Sequence, residues 1–352
     1  MRVGIYDPYL DSLGGGERYV LILAEFLSHK NEVEIFWHDG NIRKLIEERL
    51  DIKTDKIKFV ANIFTHKKNL IQKFSQTCKY DLIFFLSDGS IPTIFAKKGI
   101  LHFQVPFVHV NGRTMSNKIK LSRFQSVVCN SHFTKEFIDR TYGIESLVVY
   151  PPVDVKNFKP LIKKNFILSV GRFTNTLHNK KQEVMIETFR EISPKIKDWE
   201  LVLAGGAVEA DKSYLGNLRK LAYGLPIKIV PNASFAELKT LYGQAKIYWH
   251  AAGFGEDEDK NPERMEHFGI TTVEAMASGC VPVVFFGGGQ KEIIKNEENG
   301  FFWSKPEELK AQTLVLAKDE KRRDKIALAA QKRSGDFSQE KFYGAFSEII
   351  YH

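Results

Sequence analysis

The chain of 352 residues is long enough for two domains with separate cores, and 43% hydrophobic with 27% charged residues is the balance of an ordinary soluble globular protein. Its apolar runs, such as residues 82–86 and 281–286, are too short to span a bilayer, and the opening Met-Arg-Val-Gly-Ile-Tyr-Asp reads as a strand rather than a signal peptide. The three cysteines are odd in number and far apart, which suggests a reducing compartment and no metal-ligand spacing, whereas a net charge of +8 invites a polyanion.

In chain order, apolar spacing predicts a strand over 3–6, a helix over 16–27, a strand over 33–37 and a helix over 42–48. Strands follow at 82–86 and 127–129, with 99–106 a strand running into a loop, then a helix over 132–142. A short strand at 148–149 ends at Pro151-Pro152, where the pattern restarts. The second half reads as a strand at 166–170, a helix at 181–192, strands at 200–204 and 227–230, and a helix at 235–242. A strand at 246–250, a helix at 271–277 and a strand at 281–285 complete it. The stretch 338–351 is amphipathic, with Phe342, Phe346, Ile349 and Ile350 near helical spacing. Strands alternating with helical crossovers imply two α/β units, each a doubly wound parallel sheet covered on both faces. Ligands of such sheets bind at the carboxyl ends of the strands, so the expected site is a cleft between the two.

The basic residues are unevenly spread. No acidic residue falls between Gly89 and Thr134, while Lys97, Lys98, Arg113, Lys118, Lys120 and Arg123 do. The cluster at 66–74, His66-Lys67-Lys68-Asn69-Leu70-Ile71-Gln72-Lys73-Phe74, mixes basic and apolar side chains. A solvated face and a surface for anionic lipid, or for a phosphate-bearing acceptor, account for these segments about equally. Nucleic acid fits poorly, because no recognition motif accompanies the charge.

Glu266 and Glu274 form the most informative pair. Glu266 lies on the loop before the helix at 271–277, and Glu274 lies about one turn into it, within Glu266-His267-Phe268-Gly269-Ile270-Thr271-Thr272-Val273-Glu274. A loop-to-helix junction offers free N–H groups and a positive dipole end, which suit phosphate, and two carboxylates beside it suit sugar hydroxyls. Ser169-Val170-Gly171-Arg172 ends a strand, and Lys180-Lys181-Gln182 opens the next helix. Arg172 and one of these lysines can therefore reach one place and hold a diphosphate. Leu13-Gly14-Gly15-Gly16-Glu17-Arg18 resembles a dinucleotide fingerprint, but Tyr19 is too large for the third small position. His102 and His109 are competing histidine candidates in one segment, and Cys280 reads as a small packing residue. No metal signature is present, so no metal or other cofactor is expected.

Together, Leu13-Gly14-Gly15-Gly16-Glu17-Arg18, Cys129-Asn130-Ser131, Val149-Tyr150-Pro151-Pro152-Val153-Asp154, Gly171-Arg172 with Lys180, and the block from Glu266 to Glu274 resemble a retaining glycosyltransferase of family 4, along nearly the whole chain. That resemblance implies the GT-B fold, two Rossmann-like domains facing across a cleft. Residues 1–154 with the helix at about 338–352 would be the acceptor-side domain, and 155–337 the nucleotide-sugar domain. It implies that Arg172 and Lys180 hold the donor diphosphate and that Glu266 meets the donor sugar hydroxyls. Gly171 and the backbone of Phe268, Gly269 and Ile270 would line the donor, and Glu274 would bind the ribose. Gly15 and Gly16 would face the phosphates or the acceptor, and His102 would lie near the transferred sugar. The form Glu266-His267-Phe268-Gly269 resembles mannosyltransferases that extend lipid-linked oligosaccharides, a pointer to GDP-mannose, with UDP-linked donors kept open.

The expected function is transfer of a hexose, with retention, to a hydroxyl of a glycan or lipid-linked acceptor. The expected location is cytoplasmic, with peripheral attachment to the inner face of a membrane as a further expectation. Two alternatives stand beside it, an NAD-dependent oxidoreductase and a non-catalytic nucleotide-sugar-binding protein. The acidic stretch 255–264 reads as a solvated loop, with a lip over the donor as the alternative.

Overall fold

A computed structural model describes residues 1–64, 69–176 and 179–352. The chain forms two compact units, one of Met1–Pro152 with Phe342–His352 and one of Val153–Lys341.

The first unit carries seven strands: β1 (Arg2–Tyr6), β2 (Glu32–Phe36), β3 (Ile57–Val60), β4 (Leu82–Leu86), β5 (Lys98–Phe103), β6 (Ser126–Cys129) and β7 (Leu147–Val148). They lie in the order β3-β2-β1-β4-β5-β6-β7, and every pairing is parallel. β4 is Leu-Ile-Phe-Phe-Leu and is buried along its whole length, as a central parallel strand covered on both faces requires. The terminal helix Gln339–Tyr351 places Phe342, Phe346 and Ile350 in this unit's core, beside Tyr19 and Phe84.

Six strands build the second unit: β8 (Phe166–Val170), β9 (Glu200–Gly205), β10 (Ile227–Pro231), β11 (Ile247–His250), β12 (Val281–Phe285) and β13 (Phe301–Trp303). Their order is β10-β9-β8-β11-β12-β13, again parallel throughout. The order reverses between β8 and β11, so the crevice beyond Val170 and His250 is this sheet's topological switch point.

Several elements escape the sequence reading. β3 and β13 are short, as are the helices Leu70–Thr77, Met115–Leu121 and Lys212–Leu221, and the helices Pro306–Lys318 and Glu320–Ser334 carry too many polar residues for a clear apolar stripe. The first two of these helices leave apolar side chains in solvent: Leu70, Ile71 and Phe74 on one, Met115 and Ile119 on the other. Phe95 packs beside the first, with the Phe74 ring 5.3 Å away and the Arg123 guanidinium 5.0 Å above it. Of the basic cluster at 66–74, His66, Lys67 and Lys68 lie outside the described residues.

Candidate active site

The switch point of the second unit gathers most of the residues singled out in its sequence. β8 leads into Gly171-Arg172, and the Arg172 carbonyl accepts a hydrogen bond from Gln182 Nε2 at 3.0 Å. Gln182 is itself buried and receives the Tyr214 hydroxyl at 3.0 Å. The strand end is thereby fixed to the start of the helix Gln182–Ile192, and Lys180 and Lys181 come with it. A Cβ on Gly171 would lie 2.6 Å from Lys180 Cγ, so glycine is what lets the lysine cross over the strand end. Arg172 is exposed, and no ion pair engages it among the described residues.

Lys180 Nζ sits 2.7 Å from Glu266 Oε2. His250, the last residue of β11, places Nε2 2.8 Å from the same oxygen. Its backbone carbonyl accepts the Trp303 indole N–H at 3.1 Å, which ties the end of β11 to β13. Burial pushes the Glu266 carboxyl upward, but Lys180 and His250 outweigh it and hold the acid well below the usual carboxylate range. Glu266 is therefore a fixed anion that accepts hydrogen bonds and does not give up a proton.

Past Glu266 the chain turns at Gly269, whose φ of +119° is open only to glycine, and enters the helix Ile270–Ala277. No side chain caps this helix start. Phe268 turns its ring inward, 5.3 Å from Phe337, so only its backbone faces the turn. Tyr248 of β11 donates to Thr271 Oγ1 at 2.8 Å and pins the first turn to the sheet. Glu274 lies deeper on the same helix and is almost wholly buried, near Tyr242. Burial first, and the Glu274 charge second, hold the Tyr242 phenol well above its ordinary pKa.

Three expectations change. The stretch 255–264 is not simply solvated: Glu256 pairs with Lys181 at 2.9 Å and with Arg264 at 3.4 Å, and Glu258 pairs with Lys291 and accepts the Gly288 N–H. Asp257, Asp259 and Lys260 face solvent, so the loop is stapled on one side only.

His102 does not reach a surface. It lies within β5, is fully buried, stacks on Tyr19 at a centroid distance of 4.3 Å and gives its Nδ1 proton to Val128 O at 3.0 Å. Burial drives its pKa down to about 3, so it is a neutral packing residue in this fold. His109 lies exposed beyond the end of β5.

The first-loop glycines are a poor phosphate cradle. Glu17 Oε2 already takes the Gly14 N–H at 2.6 Å, and Gly16 packs on Gln104, which donates to its carbonyl at 3.1 Å. Nearby Asp7 is buried, and burial together with the Glu17 charge raises its acid to about 8. The Glu17 carboxylate repels a diphosphate, and Asp7, kept as a neutral acid at pH 7, suits a hydroxyl.

His250 and the Lys181–Glu256 pair were missed. The one legible signal was that the apolar run Ile-Tyr-Trp-His ends in a polar residue at a strand's carboxyl end. No group of three His, Cys, Asp or Glu residues able to hold a metal ion occurs among the described residues.

Two parallel α/β units of this kind are the fold of GT-B glycosyltransferases. The structure superposes on a glycosyltransferase from Rickettsia africae ESF-5 with a TM-score of 0.78, covering 99% of this chain and 97% of that one at 18% identity. It also matches Anabaena Alr3699/HepE in complex with UDP and glucose, with a TM-score of 0.76, covering 100% and 99% at 18% identity. The family model described as glycosyl transferases group 1 matches residues 154–333, just over half of the chain. The chain belongs to this family of glycosyltransferase enzymes. It is 28% identical over 228 residues to the GDP-Man:Man(3)GlcNAc(2)-PP-Dol alpha-1,2-mannosyltransferase of Dictyostelium discoideum. That match takes in 60% of this chain and 43% of the relative, so the chain spans about half the length of the curated relatives it matches. Membership in this family sets the oxidoreductase alternative aside.

Proposed function

We propose that the protein is a retaining, family 4 glycosyltransferase that moves a hexose from a nucleoside diphosphate sugar to a hydroxyl of a glycan or lipid-linked acceptor. The observation that carries this reading is one constellation at the β8–β11 switch point: Arg172, unpaired among the described residues, with Lys180 and His250 both on Glu266 Oε2. In this reading Arg172 and Lys180 hold the diphosphate. An ammonium has three N–H groups, so the one spent on Glu266 leaves two for phosphate oxygens. Glu266 Oε1 accepts from hexose hydroxyls, the backbone of Phe268, Gly269 and Ile270 lines the sugar and phosphate, and Glu274 takes the ribose.

Glu266 is kept anionic, so it does not serve as an acid, and its open Oε1 is assigned to hexose hydroxyls rather than to the anomeric carbon. The reaction is then a front-face displacement. The bond from the anomeric carbon to the diphosphate oxygen breaks, the acceptor oxygen bonds to that carbon on the same face, and its proton passes to the departing phosphate oxygen. Cations fixed before the reaction stabilise the charge that grows on the leaving group. Residues 155–337 act as the nucleotide-sugar domain, and residues 1–154 with the terminal helix act as the acceptor side. Gly15 and Gly16 are reassigned to the acceptor, because the Glu17 carboxylate beside them disfavours phosphate. No metal or other cofactor takes part.

GDP-mannose is the first donor to test, supported by the names of the relatives and the Glu266-His267-Phe268-Gly269 sequence. The exposed apolar and basic side chains of the helices Leu70–Thr77 and Met115–Leu121 support an anionic leaflet as the surface on which a lipid-linked acceptor is met, from the cytoplasmic side. Thermal melts with GDP-mannose, UDP-glucose and UDP-N-acetylglucosamine test the donor, since bound ligand raises apparent stability by mass action. NMR of the transferred sugar then reads the anomeric configuration. An inverted product, or no shift with any nucleotide sugar, overturns this reading.

A further inference from the structure

We propose that His250 is a positioning residue for donor-sugar recognition, acting through Glu266; the inference rests on the donor-site reading above. Three features of the fold converge on it. His250 is 3% exposed and closes β11 at the switch point, and its carbonyl is held by the Trp303 indole, so the ring has a fixed base. Its Nε2 meets Glu266 Oε2, the same oxygen that receives Lys180 Nζ. No described residue donates to Glu266 Oε1, and the side chain keeps 17% of its surface open.

A carboxylate held by one donor swivels about its terminal torsion, which is broad and roughly two-fold. Two donors arriving on one oxygen, from β11 and from the lysine that precedes the helix Gln182–Ile192, fix both the plane of the group and the identity of the outward oxygen. Oε2 is saturated and Oε1 is presented. Since the carboxylate can only accept, His250 carries its proton on Nε2. Lys180 alone cannot do this work, because its flexible stem also has to follow the diphosphate. His250 thus separates two duties that would otherwise fall on one lysine: Lys180 answers to phosphate while His250 keeps Glu266 aimed at the sugar.

The consequence is specific. Losing His250 should weaken what the hexose adds to binding, while leaving the nucleoside diphosphate itself bound as before. Calorimetry on the full chain measures this as the ratio of the Kd for GDP to that for GDP-mannose, and of UDP to UDP-glucose. His250→Ala should lower the ratio by about tenfold, the worth of a hydrogen bond to a charged group, with GDP or UDP affinity within about twofold of the wild type. His250→Gln, whose amide N–H reaches the place of imidazole Nε2, should restore it, while the shorter His250→Asn should not. The Gln and Asn pair also decides the matter if the alanine variant fails to fold. Glu266→Gln should lower the same ratio, and adding His250→Ala to it should lower it little further.

A wild-type ratio in His250→Ala, equal ratios in the Gln and Asn variants, or additive losses in the double variant would overturn the positioning role and leave the donor site standing. No nucleotide binding by the wild type, or an unchanged ratio in Glu266→Gln, would instead overturn the donor-site reading, and this inference with it.

Discussion

Replacing Lys180 by methionine removes one ammonium and little volume. The Nζ group lies 2.7 Å from Glu266 Oε2, and the two side chains keep only 21% and 17% of their surface exposed. A hydrogen bond between charged groups in such a place contributes about 1.5–3 kcal/mol net. Because His250 still donates to the same oxygen, the carboxylate is not left bare and the low end applies. A loss of about 1.5 kcal/mol corresponds to a Tm lowered by roughly 3–6 °C for a unit of this size. The catalytic loss should be larger. If Lys180 stabilises the departing diphosphate, its removal costs about 3–4 kcal/mol of barrier, a hundred- to thousandfold in turnover. Lys181→Met is the matched control: its Nζ is bound to Glu256 on the loop at 2.9 Å, and its loss should slow turnover less than tenfold. The assay is release of nucleoside diphosphate at saturating donor, with melting curves on the same samples. Turnover of Lys180→Met within about threefold of wild type, or a larger defect in Lys181→Met, would refute the assignment.

Gly269→Ala forces a side chain onto a backbone with φ of +119° and sets its Cβ 2.5 Å from Gln290 Nε2, a buried amide bonded to Thr272. It should lose about 1–3 kcal/mol in denaturant titrations and weaken donor binding; unchanged stability would deny that the turn is strained. His102 is held neutral by burial, with a pKa of about 3 against an ordinary value of 6.5. Its folded-state value is depressed, so the stability it carries is present above about pH 6.5 and is lost as pH falls toward 3. His102→Phe should therefore show a smaller drop in Tm between pH 7 and pH 4.5 than the wild type, and an equal drop would contradict the buried neutral state. Vesicles with anionic headgroups should sediment the protein and zwitterionic ones should not. Ile71→Glu with Phe74→Glu should abolish the effect, and binding that survives would remove this face from consideration.

Most of the strands were legible. Apolar runs such as β4 and β12 are buried on both faces, which is a local property of composition. The helix Glu320–Ser334 was not, because it is charged around most of its circumference and owes its place to contacts that period analysis does not register. Among site residues, Lys180 and Arg172 stood out because a cation near a helix start or a strand's carboxyl end gains nothing from the helix dipole, and Glu266 because it shares its loop-to-helix junction with Glu274.

Sequence by itself determined the chemistry on offer: two carboxylates at a loop-to-helix junction, cations at a strand end, and no metal spacing. It did not determine which groups meet. Glu266 lies 86 residues from Lys180 and 16 from His250, and the parallel pairing of β8 with β11 brings all three to one oxygen. Burial was equally undecided. His102 is one of two histidine candidates in one dimension and becomes a stacked core ring in three, since exposure depends on what packs from elsewhere: Tyr19 from a helix, Phe84 from the neighbouring strand. The charge of a side chain is written in its own residue. Its pKa, its partners and its access to solvent belong to the fold.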